Sequence, residues 1–174
     1  GALRRADPDA VWILQGWMFH FDAEFWGDQQ IKAYLSGVDN RHMIVLDLWS
    51  ELHPVWKQTR NYYGKSYIWC QLLNFGGQPG MAGSMESLMN DPFIAAERPS
   101  MMGIGITMEA ITNNSVMFDM LLDQAWMSTP APVNDWLASY VIARYGEYNS
   151  AARHAWRILQ STVYNRSSGL TNSR

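Results

Sequence analysis

A single cysteine, Cys70, stands in this chain of 174 residues, so no internal disulfide can form; its place in the apolar run YIWCQLL marks a buried, inert thiol. Charge is also sparse, with 17% charged residues and a net charge of −3. Basic residues form no run beyond Arg4 and Arg5, and without clustered Lys and Arg to meet phosphates a nucleic-acid partner is excluded. No stretch approaches the roughly 20 apolar residues of a membrane span, so no membrane insertion is expected. The opening GALRRADPDA has neither an initiator Met nor the apolar core of a secretion signal, and reads as the abrupt start of a piece of a longer protein. His20, His42, His53 and His154 show no His-x-x-x-His spacing and no cysteine partners, so neither a metal nor any other cofactor is expected. His20 is placed to line a pocket with Trp17, and His154 reads as a helix-surface residue. No Ser or Cys has a partnered His of the kind a nucleophilic triad requires. The glycine-rich stretch GGQPG lacks the Gly-x-x-x-x-Gly-Lys-Ser/Thr pattern of a phosphate cradle and reads as a structural or active-site loop.

Apolar and aromatic residues, by contrast, are plentiful. At 48% hydrophobic the chain builds a sizeable core, and nine Trp, eight Tyr and six Phe make 13% of it aromatic. Most of these rings fill the core. Many of the Trp nevertheless fall near the ends of apolar runs, where flat faces can receive the C–H groups of a pyranose while nearby polar groups take its hydroxyls.

Four apolar runs of strand length, AVWILQGW (10–17), MIVLDLW (43–49), YIWCQLL (67–73) and MMGIGITM (101–108), are near-continuous in apolar residues, the pattern of parallel strands covered on both faces. Between the first two, Ile31, Tyr34 and Leu35 share one helical face and Gly37 offers a stop, giving a strand, helix, strand unit. NFGGQPGMAG is a loop, and SMESLMN a short helix before the fourth strand. Val116, Met117, Met120, Leu121 and Gln124 then mark a helix broken by STPAPVND. A second carries Trp136, Leu137, Tyr140 and Val141 and closes at Gly146; a third starts near Ser150 and carries Ala152, Ala155, Trp156, Leu159 and Val163. This order predicts an α/β fold passing into an α-helical region near residue 130; if its sheet belongs to a (β/α)8 TIM-type barrel, residues 1–128 are the C-terminal part of that barrel and 129–174 the start of an all-α domain. Four strands are half of the eight that close such a barrel, so the chain is expected to be a fragment.

In these barrels chemistry sits at the C-terminal ends of the strands, where this sequence carries Trp17, Asp47, Asn74 and Glu109. Two carboxylates on one rim suit glycosidic cleavage, one group donating a proton to the leaving oxygen while the other attacks or stabilises the cation. From pattern alone Asp47 and Glu109 are that pair, although Asp47 equally reads as the partner of a loop amide. Glu24 and Glu51 read as loop carboxylates.

Five segments, AVWILQGWMFHFDAEFWG, IVLDLWSELHPVWKQT, YIWCQLLNFGG, GIGITMEAITNNSVMFDML and RYG, resemble in order and spacing the α-N-acetylglucosaminidases of glycoside hydrolase family 89. The resemblance spans roughly residues 7 to 165. It implies removal of terminal α-linked N-acetylglucosamine with retention, as on heparan sulfate-type glycans, in a lysosomal or secreted protein. Glu109 matches the family's nucleophile and Trp17 a pocket tryptophan; Asp47 and Asn74 are pocket candidates by position. The family's acid/base glutamate lies upstream of the resembled region, so this chain alone is expected to be inactive. A non-catalytic or degenerate sugar-binding relative is the alternative, and a homo-oligomer of the longer protein is left open. Two departures stand out. Met108, Glu109 and Ala110 replace the Pro-Glu-Gly of many relatives, and Leu73 replaces a His before Asn-Phe-Gly-Gly. Of two sequons, Asn113 is expected to be bare, because a glycan beside the nucleophile would crowd the pocket, and Asn165 to be able to carry one.

Overall fold

The computed structural model describes residues 2–73, 75–76, 80–109, 111 and 113–165. After a first short helix, α1 (Ala2–Ala6), strand β1 (Trp12–Gln15) leads through the single turn α2 (Met18–Phe21) and helix α3 (Asp28–Ser36) to β2 (Met43–Asp47). The turn α4 (Val55–Gln58) precedes β3 (Ser66–Gln71), and α5 (Met85–Ala96) precedes β4 (Met101–Ile106). Three helices follow: α6 (Ser115–Asp123), α7 (Val133–Tyr145) and α8 (Ser150–Thr162).

The four strands form one parallel sheet in chain order, with Trp12 paired to Met43, Asp47 to Trp69 and Gln71 to Ile106; the β3–β4 register slips between Tyr67 and Ile68. Burial alternates along β2 and the first part of β3. Met43, Val45 and Asp47 on β2, and Tyr67 and Trp69 on β3, are buried, whereas the intervening Ile44, Leu46 and Ile68 are only half-buried. Helices cover one face of the sheet, and on the other Ile13 of β1 is 61% exposed. In a closed barrel that inner face is filled by side chains from the other strands, and four strands enclose no interior.

Helices α3, α6 and α7 bury the faces expected of them, whereas no residue of α8 is fully buried: Trp156, Leu159 and, just beyond the helix, Val163 pack half-buried against the core, and Ala155 is exposed. Ile31 and Leu35 of α3, Val116, Met117, Met120 and Leu121 of α6, and Trp136, Leu137 and Val141 of α7 all enter the core. Gly146, at φ +83°, ends α7 in the left-handed conformation and donates its N–H to Ile142 O. Helix α5 is longer than its short apolar pattern predicts, because it continues through Pro92. A proline inside a helix supplies no N–H to the carbonyl four residues back, here Leu88 O. Gln124 Nε2 donates to that oxygen at 2.8 Å instead, so the helix runs on with its carbonyl satisfied.

Candidate active site

The site is assembled where the strands of the parallel sheet end. Backbone pairing carries on past β1, Gly16 N–H donating to Leu46 O at 2.8 Å, and Trp17 then begins the turn of α2. Only glycine fits at residue 16: a Cβ there would lie 2.4 Å from the Tyr62 hydroxyl oxygen and 3.2 Å from Leu46 O. Tyr62 reaches this place from an unusual turn in which Arg60, Asn61, Tyr62 and Tyr63 all have positive φ, between 49° and 61°. Left-handed backbone costs roughly 1–2 kcal/mol per non-glycine residue. That cost is met by the burial of Tyr62 and by N–H bonds from Asn61 to Trp56 O and from Tyr62 to Thr59 Oγ1.

Trp17 stands two residues beyond β1, Trp49 two beyond β2, and Phe75 four beyond β3. Their rings converge: Trp17 to Trp49 at 5.6 Å, Trp17 to Phe75 at 6.2 Å and Trp49 to Phe75 at 4.9 Å between centroids. His20 and His53 close the cluster, 4.2 Å from each other and 4.8 and 5.9 Å from Trp17. Burial, and then the neighbouring His20, hold the His53 imidazole below its ordinary pKa. All five residues except Phe75 are half-buried, so the rim keeps an open aromatic face.

Glu109 lies on the continuation of β4. Thr107 N–H donates to Gln71 O at 2.9 Å and Thr107 Oγ1 to Leu48 O at 2.8 Å, which keeps the segment aligned with β2 and β3 beyond the sheet. The exposed Glu109 carboxylate accepts the Gly76 N–H on Oε2 at 2.8 Å, and Asn113 Nδ2 donates to Glu109 O at 3.2 Å. Gly76 directly follows Phe75, so the loop after β3 links the carboxylate to the aromatic cluster that holds Trp17.

Asp47 goes elsewhere. It shares the helix-covered face of β2 with Met43 and Val45, and its Oδ2 accepts the Trp56 N–H at 3.1 Å at the start of α4. Burial pushes this carboxyl up to about 6, against the pull of the amides it accepts. Of the two readings open for Asp47, this placement is that of a partner to a backbone amide, here in α4, on the face opposite to half-buried Ile44 and Leu46. Asn74 and Ala110 lie outside the described residues, as does any consequence of Ala110 for the loop after Glu109.

Three residues were missed. Trp49 repeats the spacing of Trp17 from its strand end, a signal available in the sequence. Phe75 and Glu51 give none. Glu51 is no solvated loop residue: its Oε1 accepts Leu73 N–H at 2.6 Å and Leu72 N–H at 3.0 Å. Burial pushes its carboxyl up to about 8, the nearby Asp47 charge adding to the rise. Leu73 adopts φ +71° with its side chain in the core. Cys70 is buried and its thiol pushed up to about 12, first by burial and then by Asp47 and Glu51.

Residues 1–128 match the family model of the alpha-N-acetylglucosaminidase (NAGLU) tim-barrel domain, and residues 136–174 that of the alpha-N-acetylglucosaminidase (NAGLU) C-terminal domain. The chain belongs to the α-N-acetylglucosaminidase family. It is 38% identical over 167 residues to the alpha-N-acetylglucosaminidase of Homo sapiens, an alignment covering 94% of this chain and 22% of the human protein. Among solved structures it is similar to family 89 glycoside hydrolase from Clostridium perfringens, both as a variant in complex with its substrate GlcNAc-alpha-1,4-galactose (32% identity, TM-score 0.81, 95% of this chain and 18% of that one) and in complex with 2-acetamido-1,2-dideoxynojirmycin (33% identity, TM-score 0.81, 94% and 18%). The chain thus spans about a fifth of the length of these relatives. Among the described residues no helix is long and apolar enough to cross a membrane, and no three His, Cys, Asp or Glu side chains are grouped as a metal site.

Proposed function

We propose that this chain is the part of a retaining exo-α-N-acetylglucosaminidase that carries its nucleophile, Glu109, and one aromatic wall of its sugar pocket, centred on Trp17. The observation that carries the reading is the exposed Glu109 carboxylate beyond β4, joined through Gly76 to the aromatic cluster at the ends of β1, β2 and β3. With Oε2 held by the Gly76 N–H, Oε1 is the atom assigned to attack the anomeric carbon. The glycosyl ester so formed keeps the sugar bound until water displaces it, and two inversions leave the configuration retained. A second carboxylic acid about 5–5.5 Å from the nucleophile must protonate the leaving oxygen. No glutamate precedes Trp12, so this proton donor is assigned to another part of the longer protein, and the 174 residues alone are expected not to turn over.

The substrate assigned is a terminal α-linked N-acetylglucosamine, the sugar held by the Clostridium perfringens relative, with heparan sulfate-type glycans as its carrier. Trp17 and Trp49 receive the apolar face of the pyranose. Residues 1–128 are assigned to the barrel and 129–174 to the start of a helical domain, in a lysosomal or secreted protein.

The test is turnover of an aryl α-N-acetylglucosaminide by the full-length protein and its Glu109→Gln variant. Removing the nucleophile lowers kcat by roughly 10³-fold or more. Unchanged turnover would leave Glu109 as a residue that merely ends a strand.

A further inference from the structure

The loop that brings Gly76 to Glu109 departs from β3 through a strained residue. Leu73 is left-handed at φ +71°, a conformation that a non-glycine residue keeps only where its surroundings over-determine it. Two contacts do so. The side chain is locked in the core, where a Cβ on Gly83 would already stand 3.2 Å from Leu73 Cδ1. The backbone is held by Glu51, which comes from the end of the neighbouring strand β2 and accepts the N–H groups of both Leu72 and Leu73 on one oxygen.

These two N–H groups belong to the residues that immediately follow β3, and Phe75 and Gly76 lie two and three residues beyond Leu73. Whatever sets the direction of the chain at Leu73 therefore sets where the Phe75 ring meets Trp17 and Trp49, and where the Gly76 N–H meets Glu109 Oε2. Glu51 also faces a cavity of about 20 Å³ that it lines together with Gln71. The Gln71 amide is completely buried, and neither its oxygen nor its nitrogen has a hydrogen-bond partner among the described residues. A space of this size admits a single water, which needs polar partners such as these to stay. The half-buried Glu51 thus has its carboxyl engaged by two amides, the Leu72 N–H also reaching Oε2 at 3.4 Å, beside a space that admits one water.

We infer that Glu51 is a positioning residue for the site: by accepting the Leu72 and Leu73 N–H groups it fixes the turn after β3, and through that turn the Gly76 N–H that holds the Glu109 carboxylate. The inference rests on the assignment of Glu109 as nucleophile. Glu51 touches no reacting atom and acts through the loop. Because its carboxyl is raised to about 8, it is a neutral acid at acidic pH, in which Oε1 still accepts the two amides. Glutamine reproduces that arrangement, with an oxygen for the two amides and an NH₂ in place of the O–H.

The experiment measures kcat and KM of the full-length protein on an aryl α-N-acetylglucosaminide for Glu51→Ala, Glu51→Gln and Glu51→Asp, with Glu109→Gln alongside. Misplacing a nucleophile by about 1 Å costs on the order of 100-fold, so Glu51→Ala is expected to lower kcat by about 10- to 100-fold with KM changed less than about three-fold. Glu51→Gln is expected to stay within about three-fold of the parent in kcat. A residue that only stabilised the fold would lower the melting temperature and leave kcat of the folded enzyme unchanged. Should Glu51→Ala not fold, Glu51→Asp withdraws the carboxyl by one methylene and carries the same expectation for kcat. Unchanged kcat in the folded Ala or Asp variant, or a loss in Glu51→Gln equal to that in Glu51→Ala, overturns the inference. Full turnover by Glu109→Gln overturns instead the assignment on which it rests.

Discussion

Replacing Gln124 by Leu in the full-length protein should loosen the packing of α5 on α6 by an amount that its hydrogen bonds set. Leu88 O lies where Pro92 can give it no N–H, and Gln124 Nε2 is the group that donates to it, at 2.8 Å and in a buried place. Leucine nearly conserves the volume but leaves that carbonyl unpaired. A buried polar group left unsatisfied costs about 1–3 kcal/mol. Gln124 Oε1 has no partner among the described residues, so the substitution also removes one unpaired acceptor, and the expected net loss sits at about 1–2 kcal/mol. Hydrogen exchange read by mass spectrometry on peptides covering residues 85–96 and 115–123 reports it, since that loss accelerates exchange through the common opening by about 5- to 30-fold. The second arm adds Pro92→Ala. Alanine restores a helical N–H for Leu88 O, so in the Gln124→Leu background it should recover most of the loss, with a coupling of about 1 kcal/mol in the double-mutant cycle. Parental exchange in Gln124→Leu, or simple additivity of the two changes, would refute the account of how α5 passes through its proline.

Three further outcomes follow from the same structure. The folded-state carboxyl of Glu51, near 8, lies above its ordinary 4.5, so its contribution to stability is fully present below about 4.5 and is lost as pH rises through about 8; the melting temperature should climb as pH is lowered from 8 towards 5, and Glu51→Gln should flatten that climb. Gly16→Ala forces a methyl group to 2.4 Å from the Tyr62 hydroxyl oxygen and should destabilise by about 1–3 kcal/mol while displacing Trp17, seen as a lower melting temperature and a raised KM in the folded fraction. In a glycopeptide map of protein from a secretory host, Asn113, whose Nδ2 is bonded to Glu109 O, should be bare, whereas exposed Asn165, beside the start of α5, should be able to carry a glycan; a glycan on Asn113 would count against Glu109 as a pocket residue.

The strands were legible because their apolar runs are short, dense and bounded by polar or glycine-rich segments, and the sheet holds all four. What the runs could not reveal is which face is covered. Met43, Val45 and Asp47 alternate with Ile44 and Leu46, and with both sets largely apolar nothing in the hydropathy says that Asp47 points to the helices. The end of α5 was hidden by Pro92, an ordinary helix breaker whose cost is met by Gln124, a residue 32 positions away. Trp17 and Glu109 were found at strand ends, and the loop that joins them is contributed by a third strand. Glu51 resisted reading for a physical reason. A carboxylate in a polar-looking stretch, SELHP, is a surface residue by every local rule, and only the approach of β3 turns it into the acceptor of two buried N–H groups.

The most direct test of the account is to inactivate the full-length protein with a 5-fluoro-α-N-acetylglucosaminyl fluoride, which accumulates the covalent glycosyl-enzyme of a retaining glycosidase, and to map the modified peptide by mass spectrometry. The account predicts one sugar per protein, esterified to Glu109. A label on any other carboxylate, or turnover without a covalent intermediate, would contradict it.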